Sequence, residues 1–230
     1  MLQLCGVHVG YGRTEVVRGV DVEVPDGQVV AVLGHNGAGK TTLLRAAVGL
    51  LPLRSGAVLI DGDDVTRARP HQRVRRGLAY VPQGQQSFGQ LTARENLLLV
   101  ADVAGAAGSR RVDEALDLFP ALREVLSRRA GLLSGGQRQQ LAIARALVTG
   151  PRVMVLDEPT EGIQPSVVAE IEGAVVQLAA DGLGVLLVEQ HVGFALGAAS
   201  RYHVLESGRV TATGAGGAEQ QDVVRAAMAL

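Results

Sequence analysis

Lysine is almost absent from this chain: of its 22 basic residues only Lys40 is lysine, and the rest are arginine. Cysteine is as scarce. The single Cys5 excludes an internal disulfide and suits a reducing compartment. It is expected simply to pack in the first strand. There is no tryptophan, and three Tyr with three Phe are too few for a base-stacking platform. The net charge of -1 leaves no basic face, so nucleic acid is not an expected partner. Long apolar runs are missing too. The longest, Leu97 to Gly108, is broken by Asp102 and falls short of the roughly 20 residues that a membrane helix needs. The start, Met1-Leu2-Gln3-Leu4-Cys5, has neither the basic nor the apolar region of a signal peptide. These absences predict a soluble protein that reaches a membrane only through a partner. What is present, 47% hydrophobic residues over 230 positions, is ample for one core.

One stretch organises the chain: Gly34-His35-Asn36-Gly37-Ala38-Gly39-Lys40-Thr41-Thr42. It fits the phosphate-binding pattern of Gly, four residues, then Gly-Lys-Ser/Thr. The apolar run Val29–Leu33 before it reads as a buried strand, and Leu43–Val48 after it as a helix. Glycines let backbone N–H groups curl around an anion, and the helix N-terminus adds its positive dipole end. Lys40 is placed to reach the β- and γ-phosphates, and the Thr41 hydroxyl to hold Mg²⁺. A composition that uses arginine everywhere else suggests that a planar guanidinium does not fit inside this loop.

The segments Leu2–Val9 and Val16–Val24 alternate and read as antiparallel strands, with Tyr11-Gly12 in the turn between them. Further strands are expected at 57–60, 78–81, 153–156, 185–188, 202–206 and 210–213, and helices at 70–76, 165–180, 192–199 and from about 219 to 230. Between Thr92 and Ser127 the apolar period is helical, with a break at 105–109. A small helical subdomain, about 84–133, is therefore expected inside a single domain covering 1–230. Strands alternating with helices predict an α/β fold, with a largely parallel sheet and helices on both faces.

Asp157 and Glu158 follow the buried run 153–156, at the strand end where open α/β sheets place ligands. Asp157 can hold Mg²⁺, and Glu158 can orient or deprotonate an attacking water. Gln83 leaves another strand end, where an amide can orient water and ligate Mg²⁺. Ser134 with Gln137 fits a reciprocal capping box opening a helix through Leu147.

Leu133-Ser134-Gly135-Gly136-Gln137 lies between the Gln83 loop and the Asp157-Glu158 strand, and with these motifs in this order the whole chain resembles the ATP-binding-cassette ATPases. The resemblance implies a P-loop nucleotide hydrolase core with an antiparallel β subdomain and a small helical subdomain. It implies ATP and Mg²⁺ as ligands, Tyr11 stacked on adenine, and Gln83 coupling the site to a transporter. It also implies two cassettes packed head to tail, either a homodimer or a pair with a second ATPase subunit. The Ser134-Gly135-Gly136 backbone of one then caps the γ-phosphate held by the other. Membrane permease subunits, and indirectly an external solute-binding protein, are the implied partners, with the chain on the cytoplasmic face of the membrane.

Where the family usually has a switch histidine, this chain has Gln190, with His191 one position later. The branched-chain amino-acid subgroup resembles it here, so the switch role is assigned to Gln190, with His191 in reserve. The loop Thr160-Glu161-Gly162 looks like the branched-chain amino-acid importers. Its continuation Ile163-Gln164-Pro165-Ser166 looks more like their urea-transporting relatives, and the expected cargo is urea in preference to branched-chain amino acids. A soluble cassette ATPase and an ATP-dependent regulatory switch are the competing functions. One phosphate loop, no heptad run and an intact Glu158 speak against them.

Overall fold

The computed structural model describes residues 1–228. In chain order the elements are β1 (Leu2–Tyr11), β2 (Thr14–Val24), β3 (Val29–Leu33), α1 (Lys40–Ala47), β4 (Ser55–Ile60), β5 (Asp63–Asp64), α2 (Pro70–Arg75) and β6 (Leu78–Val81). There follow α3 (Ala93–Ala104), α4 (Gly108–Leu118), α5 (Gly135–Val148), β7 (Val153–Asp157) and α6 (Pro165–Ala180). The chain closes with β8 (Gly184–Glu189), α7 (Val192–Ala198), β9 (Arg201–Glu206), β10 (Arg209–Ala215) and α8 (Gln221–Met228). The last helix expected from sequence extends to 230, and its final two positions lie outside the described residues.

The elements build two sheets. One is antiparallel, in the order β2-β1-β4-β5, and the other has the order β10-β9-β3-β8-β7-β6. In the second sheet only β10 runs against its neighbour; the other pairings are parallel. Period-2 side chains explain the layering. Along β3, Val29, Ala31 and Leu33 join one apolar cluster, while Val30 and Val32 join another. β7 and β8 divide in the same way. The second cluster takes in Leu43 and Leu44 of α1 with Leu2, Leu4, Val7 and Val9 of β1. Helix α1 is therefore held between the two sheets. Each leucine, fully buried, contributes on the order of 2 kcal/mol.

Cys5 departs from expectation: it is exposed instead of packed. Leu4 and Val7 are both buried, which strict alternation forbids. The register shifts between them, and Gly6 takes a φ of 53°. Ordinary alternation with the buried Leu2 and Leu4 turns Cys5 to solvent, and a β-bulge after it inserts one extra residue so that Val7 faces inward again. Tyr11 also sits differently, as the last residue of β1 and not in the turn.

A buried cation braces the far end of α1. Arg73, 1% exposed, donates to the carbonyls of Ala46 and Ala47 at that helix end, and to those of Thr66 and Ala68. The guanidinium satisfies carbonyls that a helix C-terminus leaves free and lies at its negative dipole end.

Candidate active site

Four strand ends lie side by side in the order β3, β8, β7, β6. From them emerge the phosphate loop, Glu189-Gln190, Asp157-Glu158 and Gln83. Residues more than 150 positions apart in sequence meet because parallel strands share one carboxyl edge. A cavity of about 230 Å³ opens there, lined by His35, Asn36, Gly37, Gly39, Lys40, Thr41 and Thr42 of the loop together with Gln83 and Glu158.

The loop shape is local chemistry. Gly39 caps α1 with a φ of 108°, a conformation that L side chains rarely adopt. Thr41 and Thr42 then stand in the first turn of the helix. Lys40 folds back over the loop, where its ammonium donates to the carbonyls of Gly34 (2.7 Å) and His35 (3.2 Å). It also lies 3.1 Å from Glu158 Oε1. His35 reaches outward instead, its Nε2 lying 2.5 Å from the Met228 carbonyl oxygen.

Glu158 has a φ of 48°, rare for a non-glycine residue, and its N–H donates to the Val188 carbonyl at 2.9 Å. The bend carries its carboxylate back toward the phosphate loop. Gln83 Nε2 donates to Glu158 Oε2 at 3.1 Å and to Glu161 Oε2 at 2.8 Å. Asp157 is 1% exposed, and burial pushes its carboxyl up to about 6. The Tyr80 hydroxyl donates to its Oδ2 at 3.2 Å, and that hydroxyl is itself held well above its ordinary pKa by burial and by the adjacent Asp157. Asp157 Oδ1 is buried without a hydrogen-bond partner. An acceptor left open in this way suits a cation, and Thr41 supplies a hydroxyl in the neighbouring cavity. Among the described residues no cluster of three or more His, Cys, Asp or Glu forms a metal centre from protein ligands alone.

Glu189 was not singled out in the sequence. It is 2% exposed, and burial raises its carboxyl above the ordinary carboxylate range. The signal was present, because Glu189 is a strand-end acid like Asp157. Gln190 presents an exposed side chain beside it. His191 is engaged elsewhere: its Nδ1 accepts the Phe194 N–H at 3.3 Å and caps α7. Tyr11 is half exposed, and its hydroxyl accepts from Arg45 at 3.2 Å. Arg54 braces the same hairpin by donating to the carbonyls of Gly12, Arg13 and Thr14.

Ser134, Gly135, Gly136 and Gln137 do not line this cavity. They open α5 with a reciprocal capping box: the Gln137 N–H donates to Ser134 Oγ, and the Ser134 N–H to Gln137 Oε1. Gly136 is required by packing, since a Cβ there would stand 2.8 Å from Val167 at the start of α6. Ser134 faces solvent.

The chain belongs to the ABC transporter family, whose profile matches residues 17–161. It is an ATPase of the ATP-binding-cassette type. It is 40% identical to the probable branched-chain amino acid transport ATP-binding protein LivF of Archaeoglobus fulgidus, over 93% of this chain and 92% of that protein. It is 38% identical to the lipopolysaccharide export system ATP-binding protein LptB of Acidithiobacillus ferridurans, over 93% of this chain and 90% of that one. The fold matches a nucleotide-free ATP-binding cassette from an ABC transporter with a TM-score of 0.88 and 27% identity, covering 98% of this chain and 95% of the other.

Proposed function

We propose that this chain binds Mg-ATP on the Gly34–Thr42 loop and uses its hydrolysis to drive a membrane importer. The observation that carries this reading is the convergence of Lys40 and Glu158 on one cavity, with the unpartnered Asp157 oxygen buried next to Glu158 at the end of β7. Loop N–H groups and Lys40 hold the β- and γ-phosphates, and Tyr11 packs on the base. Thr41, Asp157 and Gln83 hold Mg²⁺, which neutralises phosphate charge when bound. Glu158 then accepts the proton of the attacking water, and Gln190 donates its amide N–H to the γ-phosphate. The site is finished by a second cassette, whose Ser134-Gly135-Gly136 helix start faces the γ-phosphate. Loss of that phosphate releases the contact.

Among the described residues no helix is long and apolar enough to cross a membrane, so permease subunits supply the pore and hold the chain at the cytoplasmic face. Their docking place is an apolar groove of about 300 Å³ lined by Val48, Leu50, Val74, Tyr80, Val100 and Ala146. It fits a permease segment that presents an apolar helix face. The helices between Gly84 and Leu133 form a subdomain beside this groove and carry Gln83-loop motion to the signature helix α5.

For cargo, branched-chain amino acids have the support of the LivF relative, and urea has only that of the loop Ile163–Ser166 and the Gln-rich helix start Gln137-Arg138-Gln139-Gln140. The 38% identity to LptB makes lipopolysaccharide export the reading to discriminate against. Uptake of labelled leucine and labelled urea in cells lacking this subunit decides. Loss of leucine uptake alone establishes the amino-acid reading, loss of urea uptake alone the urea reading, and normal uptake of both with an outer-membrane defect the export reading.

A further inference from the structure

Glu189 ends β8 inside the protein, and the chemistry proposed above makes no use of it. A buried carboxylate is strongly disfavoured unless hydrogen bonds replace the lost water. Here the two oxygens divide the task by loop. Oε1 accepts from the Thr160 N–H at 3.1 Å and the Thr160 hydroxyl at 2.7 Å. Oε2 accepts from the Gln190 N–H at 3.1 Å and the His191 N–H at 3.2 Å. Thr160 lies two residues beyond Glu158, in the loop that continues to Glu161 and Gly162. Gln190 is the residue proposed above to face the γ-phosphate. The loops leave adjacent parallel strands, and beyond their ends this one side chain bridges them.

We propose that Glu189 is a positioning residue that couples γ-phosphate sensing at Gln190 to the Thr160–Gly162 loop and, through it, to Glu158. A displacement of the Gln190 backbone either drags Thr160 with it or breaks charge-assisted hydrogen bonds, which are the strong kind. The inference rests on the reading of Glu158 as general base and Gln190 as sensor.

Glu189→Gln tests it with almost no change of shape. An amide has one acceptor oxygen and one donor nitrogen, so it cannot accept from both loops. The Thr160 hydroxyl can turn to accept, so the amide nitrogen faces Thr160 and its backbone N–H loses its partner. In the full chain, Glu189→Gln is expected to lower kcat tenfold or more, with the Kd for ATP within twofold. The separate readout is amide hydrogen exchange in a Glu158→Gln background, where bound Mg-ATP persists. With Glu189 in place, ATP slows exchange about fivefold or more in both segments 159–163 and 190–193. With Glu189→Gln added, only 190–193 remains slowed. Protection of both segments in that double variant overturns the coupling and leaves the proposed function standing. Absence of ATP protection at 190–193 in the Glu158→Gln parent overturns the sensor reading and the coupling with it. If Glu189→Gln does not fold, Thr160→Val removes one donor and is expected to lower kcat about threefold, with Thr160→Ser restoring it. A Thr160→Val variant indistinguishable from the parent overturns the proposal.

Discussion

Lys40 and Glu158 form an ion pair at 3.1 Å, with both side chains at most 10% exposed. The residue proposed to bind phosphate and the residue proposed to activate water therefore neutralise each other across the cavity. In the proposed function ATP entering the loop takes Lys40 from Glu158, and the same exchange frees the carboxylate to act as a base.

Glu158→Gln is then expected to do more than stop turnover. Removing the competing carboxylate strengthens ATP binding by about 1 kcal/mol, roughly fivefold in Kd. Lys40→Ala has the opposite signature, with affinity weakened about 100-fold through loss of a charge-assisted contact to phosphate. Equilibrium binding of a fluorescent ATP analogue and phosphate release, measured together, check both. Parental turnover in Glu158→Gln would remove Glu158 from the mechanism.

Ser134→Arg separates the two roles of the signature serine. As helix cap its loss costs about 1 kcal/mol of stability, visible as a modest drop in Tm. As part of a composite site, an arginine in its place bars the partner cassette, and turnover is expected to fall by about 100-fold, a loss of some 2.7 kcal/mol in transition-state stabilisation. ATP affinity of the separate chain stays within twofold. Parallel loss of affinity and turnover would reduce Ser134 to a cap alone.

Gln190→Ala is expected to lower kcat about tenfold or more, while His191→Ala leaves kcat within about threefold and costs about 1 kcal/mol of stability as α7 loses its cap. The reverse ranking, in side-by-side steady-state and melting measurements, restores histidine as the switch.

His203 gives the fold a pH dependence. It is 8% exposed, neither ring nitrogen has a hydrogen-bond partner, and burial holds its pKa below 6.5. The unfolded chain binds the proton more readily than the folded one, so stability rises with pH in this window. It falls as pH drops below about 6.5, by up to about 1.4 kcal/mol per pH unit until the folded value is reached. His203→Leu is expected to flatten the part of the Tm decline between pH 7.5 and 5.5 that the parent shows. An unchanged decline assigns that loss of stability to other groups.

Much of this architecture is legible along the chain because its signals are local. The phosphate loop, the run into Asp157-Glu158 and the Ser134–Gln137 cap each specify their geometry within about ten residues. Cys5 departs from expectation because the apolar character of one residue does not say which face it takes. Leu2 and Leu4 occupy the core side of β1 and leave Cys5 outside, while the bulge that lets Val7 point inward as well shows only in the strand register. Glu189 and Tyr80 were overlooked for a related reason. Their meaning lies in Thr160 and Asp157, which are remote in sequence and near only once β6, β7 and β8 are aligned.

That alignment makes the peptide backbone a measuring rule. Neighbouring strands lie about 4.8 Å apart, so the four strand ends that carry the site span roughly 14 Å, a length set by amide hydrogen bonds and by no side chain of the site. The groups carried at those strand ends keep intervals that drift on the outer surfaces leaves untouched. Cargo and partner can be exchanged by revising those surfaces, while the gauge against which the nucleotide is measured stays the same.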